Sequence, residues 1–497
     1  MTPKIPLLQF FARVAGLSGV AIMVFATLGP AFPQVAGAPF PPNHEVDKIF
    51  EKWNRQDSPG CALAVSQNGE FVYKRGYGMA DLDHKIPIDS DTVFHAASLA
   101  KQFTAMSIAM LAAQGKLSLD DEARKFIPEV MPQLPDIPSQ PLIRELLHHT
   151  SGIRDQWLLA TMAGWRMSDD TITRDGVLDL VARMKTLNFK PGTHFSYSNT
   201  NYTLAGLIVE KVSGQSLPDF VHEHIFVPLN MKRSTVTATH GEIIENRAYG
   251  YRAKDQKFEL RMPNYDLTGP TNLLTTVEDL IRWGNNFESK VAEDDAIVKE
   301  MMTVDRQSYG LGIYVYSDNG HQIIEHDGRD AGYRSHLLLF PRQGKQLAVA
   351  LLCNVALPDD SPTFKLVRDV ATIYLNGDRL SPPSPAATCD IHATPADPTR
   401  YIGRYYSREI DTAYDIGVNA EGLLTITRNK YEPITLAIIS PDTFKMKDFS
   451  GPVLPCAKVT FFPDAQGKII GFRMNDINNP LHLVNFQFDK CEDGRCP

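Results

Sequence analysis

The chain has no surplus of positive charge. Lys and Arg total 50 against 58 Asp and Glu among 497 residues, a formal charge of −8. A nucleic-acid partner wants clustered basic residues, so this balance argues against one. No block of like charge marks an interaction tail. Cysteines number only six, and no pair has zinc-ligand spacing. There is no His-Glu-x-x-His, and neither His148-His149 nor the His222–His224 stretch has a third ligand at a recognised spacing, so no metal is expected. No Gly-x-x-x-x-Gly-Lys cradles a phosphate, and no cofactor is expected. No Gly-x-Ser-x-Gly supports a nucleophile elbow. Solenoid repeats are missing too. What remains is 43% apolar and 22% charged, the composition of a globular protein sized for two or three domains.

The N-terminal stretch differs from the rest. Lys4 and Arg13 precede an apolar run from Val14 to Leu28, closed by Gly29-Pro30 and followed by Ala36, Gly37 and Ala38. That is the layout of an export signal. The run is shorter than the roughly 20 residues of a membrane span. Residues 1–38 are read as a signal peptide or an uncleaved anchor. Any membrane attachment is expected through this segment alone, and the rest is expected in the periplasm or outside the cell. Cys61 and Cys353 lie in the apolar runs "CALAV" and "LAVALLCN" and read as plain core residues. Cys491 and Cys496 bracket a polar tail that a disulfide would close, and Cys389 and Cys456 are a further candidate pair; the connectivity stays open.

From 45 to 378 strand-like and helix-like segments alternate. "CALAVSQNGEFVYKRGYG" reads as two strands joined at Asn68-Gly69. "SLAKQFTAMSIAMLAAQGKL" reads as a helix with Phe103, Met106, Met110 and Leu111 on one face, and "TNYTLAGLIVEKVSG" as another. The runs "YGLGIYVY", "HQIIEH", "SHLLLF" and "QLAVALLCN" read as strands, and "SPTFKLVRDVATIYLNG" as a terminal helix. Strands at both ends with helices between predict an α+β fold, one antiparallel sheet flanked by helices plus a helical subdomain. Residues 379–399, crowded with Pro382, Pro383, Pro385, Pro395 and Pro398, read as a linker. Residues 400–497 carry six short β-rich runs and predict a small all-β, barrel-like domain. Its aromatic residues, in "YIGRYY" and "FQF", are expected in its core.

One stretch carries chemistry. In "FHAASLAKQF" Ser98 and Lys101 stand three apart, so on a helix they share a face. A serine hydroxyl needs an adjacent base to attack a carbonyl. A lysine amine serves if burial lowers its pKa, and Phe94, Ala96, Ala97, Leu99 and Ala100 make the surroundings apolar. "KPGTHFSYSNTNY" places Tyr197 and Asn199 between a Pro191-Gly192 turn and a helix. A phenol can shuttle protons, and an amide can orient a lysine or a substrate carbonyl. "IIEHDGRDAGYRSHLLLFP" puts His326, Asp327 and Gly328 at a strand end, where a glycine lets a substrate lie close. His148 and His149 are expected to cap or brace the helix before Thr150-Ser151-Gly152.

Those three motifs, in that order, resemble the serine β-lactamase and penicillin-binding-protein superfamily, most closely its class C β-lactamase-related branch. The resemblance spans about 45–378 and extends to "IRELLHHTSGI" and "GPTNLLTTVEDLIRWGNN". It implies that Ser98 is the acylated nucleophile, that Lys101 keeps the proton network poised, and that Tyr197 takes the serine proton and returns it to the leaving group, alone or with Lys101. It further implies that Asn199 orients substrate, and that the backbone N–H groups of Ser98 and Arg329 form an oxyanion hole. His326 stands where many relatives carry the lysine of Lys-Thr-Gly. That departure, with Asp327 beside it, disfavours anionic substrates. The expected activity is hydrolysis of an ester, amide or peptide bond in a small-molecule or peptide substrate. β-Lactamase or DD-carboxypeptidase action is the alternative, and a non-catalytic binder of cell-wall peptides is the alternative of another class. The C-terminal part resembles the small barrels appended to D-aminopeptidase-like relatives.

Overall fold

The computed structural model describes residues 43–131, 140–167, 169–289, 295–341, 346–356, 362–375, 377, 380–381, 397–428, 430–446, 457–476, 481–492 and 495–496. The expected export segment, most of the expected linker, and Cys389 and Cys456 lie outside the described residues.

Six strands form the main antiparallel sheet: β1 (Cys61–Gln67), β2 (Glu70–Tyr77), β3 (Tyr314–Asp318), β4 (His321–Asp330), β5 (Tyr333–Phe340) and β6 (Leu347–Cys353), in the order β3-β4-β5-β6-β1-β2. The helices that matter below are α1 (His44–Phe50), α2 (Ala100–Ala113), α3 (Gln156–Met162), α4 (Asn199–Ser213), α5 (Val277–Ser289) and α6 (Pro362–Tyr374). Asn68 and Gly69 have φ of 52° and 84°. Two positive φ values in succession match a two-residue hairpin turn to the twist of the strands, and Gln67 duly pairs with Glu70.

Strand β1 is apolar from Cys61 to Val65 because both of its faces are covered there. Cys61, Leu63 and Val65 pack with Val46 and Phe50 of α1 and Val367 and Val370 of α6. Ala62 and Ala64 turn to the other face and join the larger core with Leu280 and Trp283 of α5. The period of two is therefore present but masked, since positions 61–65 are all apolar. Helix α2 differs from its expectation of a single apolar face. All residues from Ala100 to Leu111 are buried, because the helix is enclosed between sheet and helical subdomain. Strand β3 starts only at Tyr314, later than the run "YGLGIYVY" suggests.

Cys61 and Cys353 need a correction. They are core residues, but they are also joined in a disulfide. Strands β1 and β6 are neighbours, and their register sets Cys61 directly opposite Cys353 with Cα atoms 4.0 Å apart. Cys491 and Cys496 close the short loop that their spacing suggests.

Beyond the main fold the chain forms a closed barrel of eight antiparallel strands from Gly403–Ser407 to Leu483–Lys490. Two of them, Ile434–Ser440 and Thr443–Met446, were not among the six β-rich runs of the sequence. Tyr405, Phe461, Phe472, Phe486 and Phe488 fill the interior.

The Cys61–Cys353 bond closes a loop of 292 positions. Replacing both residues with alanine is expected to lower the unfolding free energy by about 2–4 kcal/mol. Denaturant titration of the double variant checks this, and an unchanged midpoint would refute it.

Candidate active site

Ser98 lies on a single turn of 3-10 helix, Ala97–Leu99, that leads into α2. Ala97 has φ of 49°, an unfavourable conformation for a residue with a Cβ. It is held there by the buried His95, whose Nδ1 accepts the Ala97 N–H at 3.2 Å. A ring nitrogen that accepts carries no proton, so His95 is a proton donor only at Nε2, which faces Asn272 Oδ1 at 3.3 Å. Strand β4 runs alongside this turn. A methyl group at Gly328 would stand 2.5 Å from the Ala96 carbonyl oxygen and 2.2 Å from Ser335 Oγ. The glycine is thus demanded by the protein's own close packing, with β4 pressed on the serine turn. Arg329 follows on β4, opposite Arg334 of β5. Strand β3 reaches along β4 only to Glu325, and β4 continues past its end beside the serine.

One turn after Ser98, Lys101 is fully buried. Its Nζ is 2.9 Å from Ser98 Oγ, 2.8 Å from Asn199 Oδ1 and 2.9 Å from the Pro270 carbonyl oxygen. The amide oxygen and the carbonyl can only accept. In a neutral amine they take its two protons, and the lone pair is left pointing at the serine hydroxyl. Burial favours that neutral form and lowers the pKa to about 7, against the pull of Asp155, Asp330 and Asp327.

Asn199, the first residue of α4, is itself fixed. Its backbone N–H and its Nδ2 both donate to Asp155 Oδ2, at 2.6 and 2.8 Å. Asp155 is the N-cap of α3, where its Oδ1 accepts from Trp157 and Leu158. This carboxylate therefore sets which way the Asn199 amide points. Asp155 was not singled out in the sequence; its place just before "QWLLATM" is the one signal it offers, that of a helix cap.

Tyr197 completes the group. Lys101 Nζ is 5.0 Å from its ring centre. Burial raises the phenol well above its ordinary pKa, and the neighbouring Ser98 hydroxyl offsets part of the rise. Tyr197 is therefore a proton donor at rest. The ring of His149 lies 4.2 Å from that of Tyr197, and His149 Nδ1 accepts the Ser198 N–H at 3.1 Å. His149 thus braces the tyrosine loop, while His148 ends the helix Ile143–Leu147 and meets the Tyr309 carbonyl through Nδ1 at 3.0 Å.

His326 is buried on β4. Its Nδ1 lies 2.6 Å from the Asp327 carbonyl oxygen and its Nε2 is 3.0 Å from the Tyr309 hydroxyl. A carbonyl only accepts, so Nδ1 carries the proton and Nε2 accepts from Tyr309. Burial keeps the ring neutral near pH 7. Asp327 is partly exposed beside it, and Arg329 Nε sits 3.1 Å from its Oδ2. The Arg329 guanidinium holds the Asp327 carboxyl below its ordinary value despite desolvation. Beside the neutral His326 the site thus carries the paired charges of Asp327 and Arg329.

The family model for Beta-lactamase matches residues 46–372. The chain belongs to the beta-lactamase family. It is a serine hydrolase of that superfamily. It is 28% identical over 352 residues to Protein flp of Staphylococcus aureus (strain MW2), covering 68% of this chain and 67% of that protein. It is 30% identical over 308 residues to the D-aminopeptidase of Gluconobacter oxydans (strain 621H), covering 60% of this chain and 56% of that enzyme. The octameric penicillin-binding protein homologue from Pyrococcus abyssi has a similar structure, with a TM-score of 0.59 at 22% identity over 90% of this chain and 99% of that one. The D-amino acid amidase of Ochrobactrum anthropi SV3 gives 0.55 at 23% identity over 67% and 99%. At such identities the structural likeness concerns the fold.

Two outcomes are expected of this geometry. Activity should rise with pH as Lys101 loses its proton near pH 7, which a kcat/KM profile checks; a profile flat between roughly pH 5 and 9 would refute it. Asp155→Asn sets an amide NH2 against N–H donors. It should lower kcat/KM about ten- to a hundredfold and stability by about 1–3 kcal/mol, read by ester turnover and denaturant titration.

Proposed function

We propose that the protein is an exported acyl hydrolase that forms an acyl-enzyme on Ser98 and prefers amides or esters with a free amine near the scissile carbonyl. The observation that carries this reading is the buried Lys101 amine, with two obligate acceptors on it and its remaining valence toward Ser98 Oγ.

In this mechanism Ser98 Oγ attacks the substrate carbonyl while its proton passes to Lys101. The N–H groups of Ser98 and Arg329 receive the developing oxyanion. The protonated Tyr197 phenol gives its proton to the leaving amine or alcohol and is restored from Lys101, so one proton moves from serine to leaving group. Water then adds to the ester on Ser98, Lys101 takes a proton from it, and that proton returns to Ser98 Oγ as the acid departs. Asn199 and Asp155 hold the lysine in line.

Asp327 supports the choice of substrate. Its ionised carboxylate attracts an ammonium and repels the carboxylate that β-lactams and many cell-wall peptides carry. Arg329 offsets part of that charge, and His326, with both ring nitrogens engaged within the protein, adds no second cation. The D-aminopeptidase relative agrees with this reading. Export is supported by the N-terminal apolar run and by the two disulfides, which persist in oxidising compartments.

A panel on wild type, Ser98→Ala and Asp327→Asn tests it, with amino-acid amides of either hand, their N-acetyl forms, short p-nitrophenyl esters and β-lactams. Wild type should favour the free amine over its acetylated form by about fivefold, the worth of a partly solvated ion pair. Asp327→Asn should lose that preference, and Ser98→Ala all turnover. β-Lactam turnover at roughly 10 per second or more would overturn the substrate assignment. Absence of a fluorophosphonate adduct on Ser98 would favour a binding protein.

A further inference from the structure

The C-terminal barrel grips both ends of the segment that carries Asp155. At one end Arg154 is buried. Its guanidinium donates to the carbonyl and hydroxyl of Thr186 and to the Val484 carbonyl at 3.3 Å. It also lies 3.2 Å from Glu409 Oε2 and 5.5 Å from the centre of the Phe486 ring. Glu409, Val484 and Phe486 all belong to the barrel. The Arg154 carbonyl accepts from Thr200 of α4 at 2.7 Å, so this residue is tied to barrel and active-site helix at once.

At the other end, α3 runs out and its last carbonyls lack helical partners. Barrel side chains supply donors. Arg428 Nη1 reaches the Thr161 oxygen at 2.7 Å, the Tyr414 hydroxyl that of Met162 at 2.8 Å, Thr412 Oγ1 that of Ala163 at 3.3 Å and the Tyr431 hydroxyl that of Trp165 at 2.7 Å. Arg428 is itself buried, its guanidinium 3.9 Å from the Tyr431 ring centre. Both arginines are cations out of water, and a buried cation whose partner is removed pulls its surroundings toward solvent.

We propose that the barrel acts on catalysis through this segment, with Glu409 and Arg428 as positioning residues that hold Asp155, and through it Asn199 and Lys101, in register with Ser98. Neither residue touches the reacting atoms. The chain of contacts runs from Glu409 to Arg154, to the adjacent Asp155, to Asn199 and to Lys101, while Arg428 fixes the far end of α3. The kinetic part of the test rests on Ser98 and Lys101 being the catalytic pair; the exchange part does not.

The test uses the full chain with Glu409→Gln, Arg428→Met, Arg428→Lys and, as control, Lys458→Ala on the outside of the barrel. Two quantities are read: the rate of fluorophosphonate labelling of Ser98 from roughly pH 5 to 10, and amide exchange over 154–165 and 199–205. Glu409→Gln and Arg428→Met should slow labelling about ten- to a hundredfold. Lys101 faces Asp155, Asp327 and Asp330, with Tyr197, Tyr202, His149 and His326 around it. Admitting water there relieves desolvation, the largest influence on it, so the acid limb should move up by about half a pH unit. Exchange should quicken in both stretches while the barrel strands stay protected. Arg428→Lys, which keeps a donor for the Thr161 carbonyl, should recover much of the rate, and Lys458→Ala should match wild type. The proposal falls if either disruptive variant labels at the wild-type rate with the wild-type profile, or if faster exchange stays within the barrel. Should wild type take no label at all, the assignment of Ser98 fails, and the exchange pattern alone decides the positioning role.

Discussion

The active site depends on keeping one amine out of water. Lys101 is a strong base in solution and would be an ammonium there at any physiological pH. Inside the protein it loses hydration, and the two acceptors that replace water, Asn199 Oδ1 and the Pro270 carbonyl, satisfy a neutral amine without demanding a third proton. The enclosed helix α2, the small residues before it and the fixed orientation of the Asn199 amide all follow from that requirement. A rotated amide would present NH2 to the lysine and leave two donors facing each other.

Distance from solvent also explains the division of labour around Ser98. The same burial lowers the lysine and raises the Tyr197 phenol, because each effect disfavours a charged form. The two groups are thereby separated into an acceptor and a donor without any charge being placed between them. His326 and His149 are neutral for the same reason, and they act through hydrogen bonds and ring contacts rather than as ions. The partly exposed Asp327 is the contrasting case: its charge survives because Arg329 and water reach it.

Local signals made much of this legible in the sequence. The Asn68-Gly69 turn, the apolar runs of β5 and β6, and the two central helices α2 and α4 are written in short patterns that the structure repeats. Ser98 and Lys101 stood out by their apolar neighbours, Tyr197 and Asn199 by their place between a Pro-Gly turn and a helix, and all four meet in one place. Features that depend on distant pairing were hidden. The Cys61–Cys353 bond needs the register of two strands brought together from opposite ends of the fold. Asp155 looks like any helix cap until α4 is laid against it. The barrel strands Ile434–Ser440 and Thr443–Met446 carry no alternation strong enough to mark them before the barrel closes.

Strand β4 continues beyond the end of β3 and passes the nucleophile as the rim of a sheet. Such a rim invites a stray extended chain to add to it, which is the first step of uncontrolled association. Asp327 and Arg329 put opposite charges on that rim, two residues apart. Side chains suited to choosing a substrate are equally suited to turning away another molecule's backbone, so selectivity and solubility here draw on the same pair of charges.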